Sequence, residues 1–243
     1  MDTRLLSITI VLLLPGTCTS QNVLPQGPLS GAVSGRVTFT TTLPPAERPF
    51  SSVSWTFKGA NVVTSIDEDL PGEGYGNRIT LDRSTGSLEL RSLTMADSGE
   101  YVVTIIPQGE GQKQAKITLN VYVPVSRVTM QGPTSILIED QNSATITCEA
   151  AGSVSSRVWT KDGHPLLPGP TVSFSPDNTI VSIRPVRSFD HGIYHCRVSN
   201  PVSAETVAFN LTVNCEYCRP PPKYTKQQFH KIKSLVDPHT SAN

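Results

Sequence analysis

One pattern in the second half of the chain constrains its fold more than any other feature. Residues 144–148, Ala-Thr-Ile-Thr-Cys, alternate apolar and polar side chains, as a strand with one buried face does. Trp159 follows eleven positions after Cys148, and the segment Asp-His-Gly-Ile-Tyr-His-Cys ends the pattern at Cys196. Ser, Thr, Val and Gly are plentiful throughout, which favours strands and turns. The chain is therefore predicted to be all-β.

The same pattern occurs once more, earlier in the chain. Residues 37–41 repeat the first strand, Trp55 repeats the tryptophan, and residues 97–103 repeat the closing segment, at offsets of 93 to 107 residues. A repeat of this length in a chain of 243 residues indicates two similar domains in tandem. We place the first domain at residues 21–122 and the second at residues 123–214.

In this order and spacing, the residues are the signature of immunoglobulin-like β-sandwiches. For the second domain, the resemblance implies that Cys148 and Cys196 face each other from the two sheets and form a disulfide. It implies that Trp159 packs against this disulfide in the core. Tyr194 stands two positions before the second cysteine, where its hydroxyl can return to the backbone at a corner of the sandwich. The predicted fold class is two tandem immunoglobulin-like β-sandwiches.

The first domain lacks both cysteines of the pattern. Thr41 and Val103 occupy the two positions. The resemblance therefore implies a sandwich without the disulfide between its sheets, and loss of such a bond costs about 2–5 kcal/mol. We expect the packing of Phe39, Trp55, Val103 and their neighbours to offset this loss.

The first domain is also the longer of the two within the pattern. Its tryptophan and tyrosine are 46 positions apart, against 35 in the second domain, which leaves room for the two extra strands of a variable-type sandwich. Residues 61–66 are the candidate for the first extra strand. Arg78 stands where variable-type domains place an arginine that pairs with the aspartate before the corner, here Asp97. The second domain is expected to be of constant or intermediate type, without the extra strands.

The N-terminus predicts export from the cell. Residues 1–20 combine Arg4, an apolar run of about ten residues and a small-residue end, which is typical of a signal peptide. The run is too short for a membrane span, which needs roughly 20 apolar residues, and no later stretch reaches that length. We predict a secreted or extracellular protein, at the cell surface if a longer form carries an anchor.

Over residues 22–213 the chain resembles the family of the carcinoembryonic-antigen-related cell adhesion molecules and of the hepatic and glial cell adhesion molecule. Those proteins begin with a variable-type domain without the disulfide, followed by a disulfide-bonded constant-like domain. The linker at residues 122–126 and the loops at residues 161–166 and 199–203 are similar to that family's. The resemblance implies a cell-adhesion or recognition protein that binds itself or related immunoglobulin domains. A soluble ligand or decoy for an adhesion or immune receptor is the alternative.

In that family, the face of the first domain that carries the C and F strands is the one that binds. Counting alternation outward from Trp55, Tyr101 and Val103 predicts which side chains lie on it. Two apolar residues on a solvated face are an interface signal, although isolated surface apolar residues are the alternative. The predicted binding residues are Thr56, Lys58, Val102, Thr104 and Ile106, with Ser54 beside them.

Two further features concern modification and the C-terminus. Asn210-Leu211-Thr212 is the chain's one sequon for N-glycosylation, and alternation places Asn210 outward. Residues 215–243 are predicted to form a disordered basic tail. Its Cys215 and Cys218 are expected to form a local or an intermolecular disulfide rather than a metal site, because suitably spaced further ligands are few.

Other classes of function find little support in the sequence. Twenty basic and 20 acidic residues leave no net charge, which argues against a nucleic-acid partner. The histidines near Asp162 and Asp190 follow no catalytic order, and the glycine-rich loops follow no phosphate-binding pattern. We predict no enzymatic activity, no cofactor, no metal and protein partners only.

Overall fold

The computed structural model of the protein describes residues 22–44 and 49–214. The predicted signal peptide and the tail with Cys215 and Cys218 lie outside the described residues. The chain divides into two compact units, between Val121 and Tyr122. Both units are β-sandwiches, which confirms the predicted fold class.

The first unit contains a six-stranded sheet with the strand order β1-β9-β8-β3-β4-β5 and a three-stranded sheet with the order β2-β7-β6. β4 and β5 are the extra strands of a variable-type domain, and β4 occupies the predicted segment. The strands are β1 (Leu29–Ala32), β2 (Arg36–Phe39), β3 (Phe50–Phe57), β4 (Ala60–Ser65), β5 (Asp69–Pro71), β6 (Ile79–Asp82), β7 (Ser87–Arg91), β8 (Gly99–Pro107) and β9 (Lys113–Tyr122).

The second unit contains two four-stranded sheets, ordered β10-β12-β16-β15 and β14-β13-β17-β18, and the short parallel pair β11-β19. The strands are β10 (Ser126–Gln131), β11 (Leu137–Ile138), β12 (Ala144–Ala151), β13 (Ser156–Lys161), β14 (His164–Pro165), β15 (Val172–Phe174), β16 (Ile180–Ile183), β17 (Gly192–Asn200), β18 (Ser203–Leu211) and β19 (Val213–Asn214).

Strand register supports the alignment of the two copies. Trp55 on β3 pairs with Val103 on β8, and Trp159 on β13 pairs with Cys196 on β17. Val103 therefore stands at the position of the second cysteine, as the repeat predicts. Both tryptophans are buried.

The second domain contains the predicted disulfide. The sulfur atoms of Cys148 and Cys196 are bonded, with the Cα atoms 6.5 Å apart. Both cysteines are fully buried, and Trp159 belongs to the same core cluster. The indole Nε1 of Trp159 donates to the carbonyl of Asn178 at 2.7 Å, so its one polar group is satisfied.

Aromatic packing occupies the corresponding centre of the first domain. The ring of Phe39 lies 5.3 Å from that of Trp55 and 4.6 Å from that of Tyr101, and Phe57 stacks on Tyr101 at 4.6 Å. Aromatic pairs at such distances are worth about 0.5–1.5 kcal/mol each beyond the area that they bury. These contacts are the physical means by which the first domain offsets its missing disulfide.

Thr41, at the other cysteine position, is also tied into the structure. It is buried, and its hydroxyl donates to the carbonyl of Thr85, while its amide donates to Ser87 Oγ at 3.1 Å. The threonine therefore links the end of β2 to the turn before β7 by hydrogen bonds rather than by a covalent bond. A buried hydroxyl at this position is acceptable because it has these partners.

The prediction that the second domain has neither extra strand is wrong in part. β14, two residues long, pairs with β13 and represents the first of them. The turn Asp162-Gly163 makes this pairing possible, because both residues have positive φ, 50° and 83°, which suits a two-residue hairpin. The turn Lys58-Gly59, with φ of 49° and 82°, joins β3 to β4 in the same way.

The two tyrosine corners have the same geometry. The hydroxyl of Tyr101 donates to the carbonyl of Asp97 at 3.0 Å, and that of Tyr194 donates to the carbonyl of Asp190 at 2.8 Å. All four residues are buried. Each bond fixes the start of the central strand that follows, β8 or β17.

The carboxylates of the two corners differ in their environment. Arg78 Nη2 lies 2.5 Å from Asp97 Oδ2, which forms the predicted salt bridge. Burial raises the pKa of the Asp97 carboxyl, but the hydrogen bonds from Arg78 and Thr94 outweigh it, so that pKa is lowered overall. Asp190 accepts from the backbone of Arg187, and burial raises its pKa.

Truncation of Phe39 should show how much the first domain depends on its aromatic cluster. We expect Phe39→Ala to lower the free energy of unfolding by about 3–5 kcal/mol, the usual cost of a large cavity in a core. The neighbouring Thr38 is exposed, so Thr38→Ala is the control and should change stability by less than about 0.5 kcal/mol. Amide hydrogen exchange, resolved by domain, measures both effects.

A reductant gives the complementary perturbation. It should lower protection from exchange in the second domain by an amount that corresponds to about 2–5 kcal/mol, because only that domain has the disulfide among the described residues. Equal loss of protection in both domains would contradict this account.

The two corner carboxylates should respond oppositely to pH. The lowered pKa of Asp97 means that its stabilising effect is present above about pH 4, the ordinary range of a carboxyl, and is lost as pH falls through the folded-state value. The raised pKa of Asp190 favours the protonated folded form, so its contribution is lost as pH rises from that range through the raised value.

Matched amide substitutions test this difference. Asp97→Asn should cost about 1.5–3 kcal/mol at pH 7, because it removes a charged hydrogen-bond acceptor from Arg78. Asp190→Asn should be neutral or stabilising at pH 7, because it removes a buried charge and keeps an acceptor for the Arg187 amide. Thermal unfolding from pH 3 to pH 8 measures both, and equal losses at pH 7 would refute the contrast.

Candidate binding face

β8 runs through the middle of the six-stranded sheet, between β3 and β9. Its residues alternate strictly between the core and the outer surface. Tyr101 and Val103 are fully buried, whereas Val102, Thr104 and Ile106 are half-buried and lie on the opposite face. The predicted outward positions on this strand therefore share one surface.

β3 supplies the neighbouring column of this surface. Its outward side chains are small and carry hydroxyl groups, and each lies directly across from a β8 residue. The Cα partners are Thr56 with Val102, Ser54 with Thr104, and Ser52 with Ile106. Directly opposed residues have Cβ atoms about 4.5–5.5 Å apart, so the two columns form a continuous patch.

The predicted placement of Lys58 on this surface is wrong. β3 ends at Phe57, and Lys58 is the first residue of the turn to β4, with φ of 49°. Its Nζ lies 4.6 Å from the centroid of the Phe57 ring. Alternation cannot be continued through a two-residue turn, because the positive φ values there reverse the direction of the chain. Lys58 is exposed, but it does not belong to the strand columns.

A row of five side chains crosses the sheet at the level of Thr104. On one side, Ser54 pairs with Thr64 on β4, and Thr64 pairs with Leu70 on β5. On the other side, Thr104 pairs with Gln114 on β9 and accepts a hydrogen bond from its amide Nε2 at 3.3 Å. The oxygens of Ser54 and Thr64 are 3.3 Å apart. Leu70 ends the row with 55% of its surface exposed.

Sequence reasoning did not identify Leu70. It lies in a strand of three residues, which is too short for alternation to be read, and acidic residues precede it. Its isolation as an apolar residue in an acidic stretch was the available signal. We define the outer face of the first domain as Ser52, Ser54, Thr56, Thr64, Leu70, Val102, Thr104 and Ile106.

Two charged residues lie on the same side of the sheet and border the outer face at Val102. Lys116 on β9 is the Cα partner of Val102, and its Nζ is 2.9 Å from Oε1 of Glu100 on β8. Both side chains of this pair are more than half exposed. The face itself consists of hydroxyl-bearing and aliphatic side chains without formal charge. Such a surface offers hydrogen bonds and apolar contact, which suits protein docking.

The second domain provides the predicted modification site. Asn210 is exposed on β18, whereas Leu211 is buried and Phe209 packs against the core. His195 lies on the outward side of β17, opposite Thr160 and Ala208.

Among residues 22–44 and 49–214, no three His, Cys, Asp or Glu side chains are grouped as metal ligands. In the same described part, no helix has the length and apolarity to cross a membrane.

Comparison with protein families matches both domains. The model described as Immunoglobulin V-set domain matches residues 25–122, and that described as Immunoglobulin I-set domain matches residues 128–213. Together these matches cover most of the chain. Adhesion proteins built from such domains are not known as enzymes.

Two human relatives show the similarity over both domains. HEPACAM family member 2 of Homo sapiens is 31% identical over 206 residues, which cover 80% of this chain and 45% of that relative. The hepatic and glial cell adhesion molecule of Homo sapiens is 34% identical over 166 residues, which cover 65% of this chain and 39% of that relative. The chain thus spans less than half the length of these curated relatives.

Solved structures share the fold. The crystal structure of murine CEACAM1b matches with a TM-score of 0.66 and 22% identity, over 77% of this chain and 96% of that one. The CD2-binding domain of CD58 matches with a TM-score of 0.57 and 23% identity, over 78% and 98% respectively. The chain therefore belongs to the immunoglobulin superfamily, with a V-set domain followed by an I-set domain and with homologues among the hepatic and glial cell adhesion molecules.

Proposed function

We propose that this protein is an extracellular adhesion or recognition protein that binds through the outer face of its first domain. Its partner is an immunoglobulin domain, either a second copy of itself or a related domain. The observation that carries the proposal is the composition of the outer face. Val102, Ile106 and Leu70 provide apolar surface on this face, and its other residues are small, uncharged and carry hydroxyl groups.

The sheet is well suited to docking because little has to be ordered when it binds. β3 and β8 lie in the interior of the six-stranded sheet, so their backbone groups already have partners. The side chains of Ser54, Thr56 and Thr104 are short and lose little rotamer freedom on contact. Binding therefore avoids much of the ordering cost that reduces affinity. An affinity near the micromolar range, about 8 kcal/mol, is the expectation for such a contact.

The comparisons support this function at a coarser level. The relatives that match both domains bear the names of cell adhesion molecules, and the CD58 structure is that of a CD2-binding domain. Their partners belong to those proteins. For this chain, the partner, the use of the outer face and the location outside the cell are parts of the proposal.

The charges beside the face favour a second copy as the partner. In a two-fold dimer, the same patch is present on both sides of the interface. If the two-fold axis passes near Val102 and runs between the directions from Val102 to Lys116 and to Glu100, then Lys116 of one copy approaches Glu100 of the other. The two intramolecular ion pairs, one in each copy, can then be exchanged for two intermolecular pairs without leaving a charge unpaired.

Addition of one negative charge to the face tests the proposal. Val102→Asp should weaken self-association at least tenfold, because the two copies would bring like charges together near the two-fold axis. It should leave the fold intact because Val102 points outward. Thr38→Asp is the matched control, since Thr38 is exposed on the other sheet and the change in charge is the same. Sedimentation velocity over a concentration series measures association, and circular dichroism verifies the fold.

Thr56→Arg is a second variant of the face, in case Val102→Asp does not fold. It should also weaken association, because a long charged side chain would separate the two sheets. The proposal fails if both face variants associate like the Thr38 control. It also fails if the unmodified protein shows no association with itself or with any related immunoglobulin domain.

Charge exchange tests the identity of the partner. Lys116→Glu gives a face bordered by two acidic residues, and Glu100→Lys gives one bordered by two basic residues. Each variant alone should associate more weakly than the unmodified protein, and a mixture of the two should recover association. Arg36→Glu, on the opposite sheet, is the control and should leave self-association unchanged. Unchanged association of both single variants would exclude this arrangement while leaving docking through the face itself in place.

A further inference from the structure

We propose that Asn210 carries an N-linked glycan whose first sugars cover the exposed side chain of Ile193. The glycan would close this end of the outward face of sheet β14-β13-β17-β18 to protein contact. The inference concerns the second domain and does not depend on the proposed function of the first. Three observations support it: the exposure of the sequon, its position in the sheet, and the chemistry of the residue opposite it.

The sequon is accessible where glycosylation requires it. Asn210 is exposed, Thr212 is half-buried, and the intervening Leu211 retains only 1% of its surface. Because neighbouring residues of a strand point to opposite faces, the burial of Leu211 directs Asn210 away from the core. β18 is the last strand of its sheet, which leaves one side of Asn210 without a neighbouring strand of that sheet. The predicted export would bring the site into the compartment in which such glycans are added.

Register places Ile193 directly beside the attachment point. Ile193 on β17 is the Cα partner of Asn210, so the two Cβ atoms are expected about 4.5–5.5 Å apart on the same face. The backbone amide of Ile193 donates to Asp162 Oδ1 at 2.8 Å, which fixes the strand beneath the side chain. A sugar attached to the amide of Asn210 is therefore within reach of Ile193, on the one side of Asn210 that has a neighbouring strand.

Ile193 offers the sugars an apolar surface that the protein leaves exposed to solvent. It retains 47% of its surface at a position where an antiparallel sheet usually presents a polar residue. The next outward residues of the same strand, His195 and Arg197, are polar. The apolar face of a sugar ring can cover an aliphatic side chain and remove that surface from water.

The surroundings leave space for the sugars. Along β18, the outward positions after Asn210 toward the hairpin are small, and their Cα partners on β17 lie directly across. Large side chains there would compete with a glycan for the surface of β17. These small residues are Ala208, Thr206 and Ala204.

Occupancy is tested first, with the full chain secreted from a eukaryotic cell line. Mass spectrometry before and after enzymatic deglycosylation should show the loss of one N-linked glycan. In Asn210→Gln and in Thr212→Ala, deglycosylation should leave the mass unchanged, because each substitution destroys the sequon and the chain has no other. An unmodified Asn210 in the secreted protein would overturn the proposal.

Coverage of Ile193 is tested with a fluorescent dye that binds apolar surface. Asn210→Gln should bind more dye than the glycosylated protein does. The double variant Asn210→Gln with Ile193→Thr should not show this increase. Val158 is the matched control, because it is 52% exposed on the same face, opposite Arg197 and two strands from β18. The double variant Asn210→Gln with Val158→Thr should keep the increase caused by loss of the glycan.

If Asn210→Gln is not secreted, deglycosylation of the folded protein and of its Ile193→Thr and Val158→Thr variants gives the same comparison. Dye binding that does not change on loss of the glycan would refute coverage, even with Asn210 fully occupied. An increase that persists in the Ile193→Thr variant would refute it as well, since the newly exposed surface would then lie elsewhere.

Discussion

The packing of Tyr101 is the contact on which the first domain depends most. Its ring lies 4.6 Å from the rings of both Phe39 and Phe57, and its hydroxyl is bonded to the backbone of Asp97. These contacts hold the tyrosine inward. They thereby determine, for each of the remaining residues of β8, whether its side chain faces the core or the outer surface. A slip of one residue would bury Val102 and expose Tyr101, so the outer face exists because the core fixes the register.

The two domains reach the same frame by different physical means. In the second, a covalent bond joins Cys148 to Cys196 across the sandwich. In the first, Thr41 is held by hydrogen bonds and the centre is filled by aromatic rings. The corner carboxylates diverge as well, because that of Asp97 has an arginine partner whereas that of Asp190 accepts a hydrogen bond from the backbone of Arg187. Equivalent positions of one fold can thus differ in their dependence on redox conditions and on pH.

The long-range spacing of the motif residues predicted the two sandwiches, whereas the positions at which strands end could be assigned only from the structure. The cysteines, tryptophans and tyrosines occupy positions that the fold demands, so their sequence pattern predicts two sandwiches and the disulfide. Lys58 was misplaced because a strand ends where a two-residue turn begins, which alternation does not reveal. Leu70 was missed because β5 is defined by its pairing with β4, and three residues carry too short a pattern to show it.

The outward surfaces of the two domains show why the fold alone does not determine binding. The equivalent sheets have β8 and β17 at their centres, with a buried tyrosine at the same place in each strand. Outward from this shared frame, β8 presents Val102 between Thr56 and Lys116, whereas β17 presents Ile193 directly beside a glycosylation sequon. Both residues are aliphatic, but Val102 follows the tyrosine of its strand whereas Ile193 precedes the tyrosine of its own, and their neighbours differ. Exposed apolar surface on such a sheet can therefore serve as a docking site in one domain and be covered by a glycan in the other. The paired residues on the neighbouring strands decide which of the two applies.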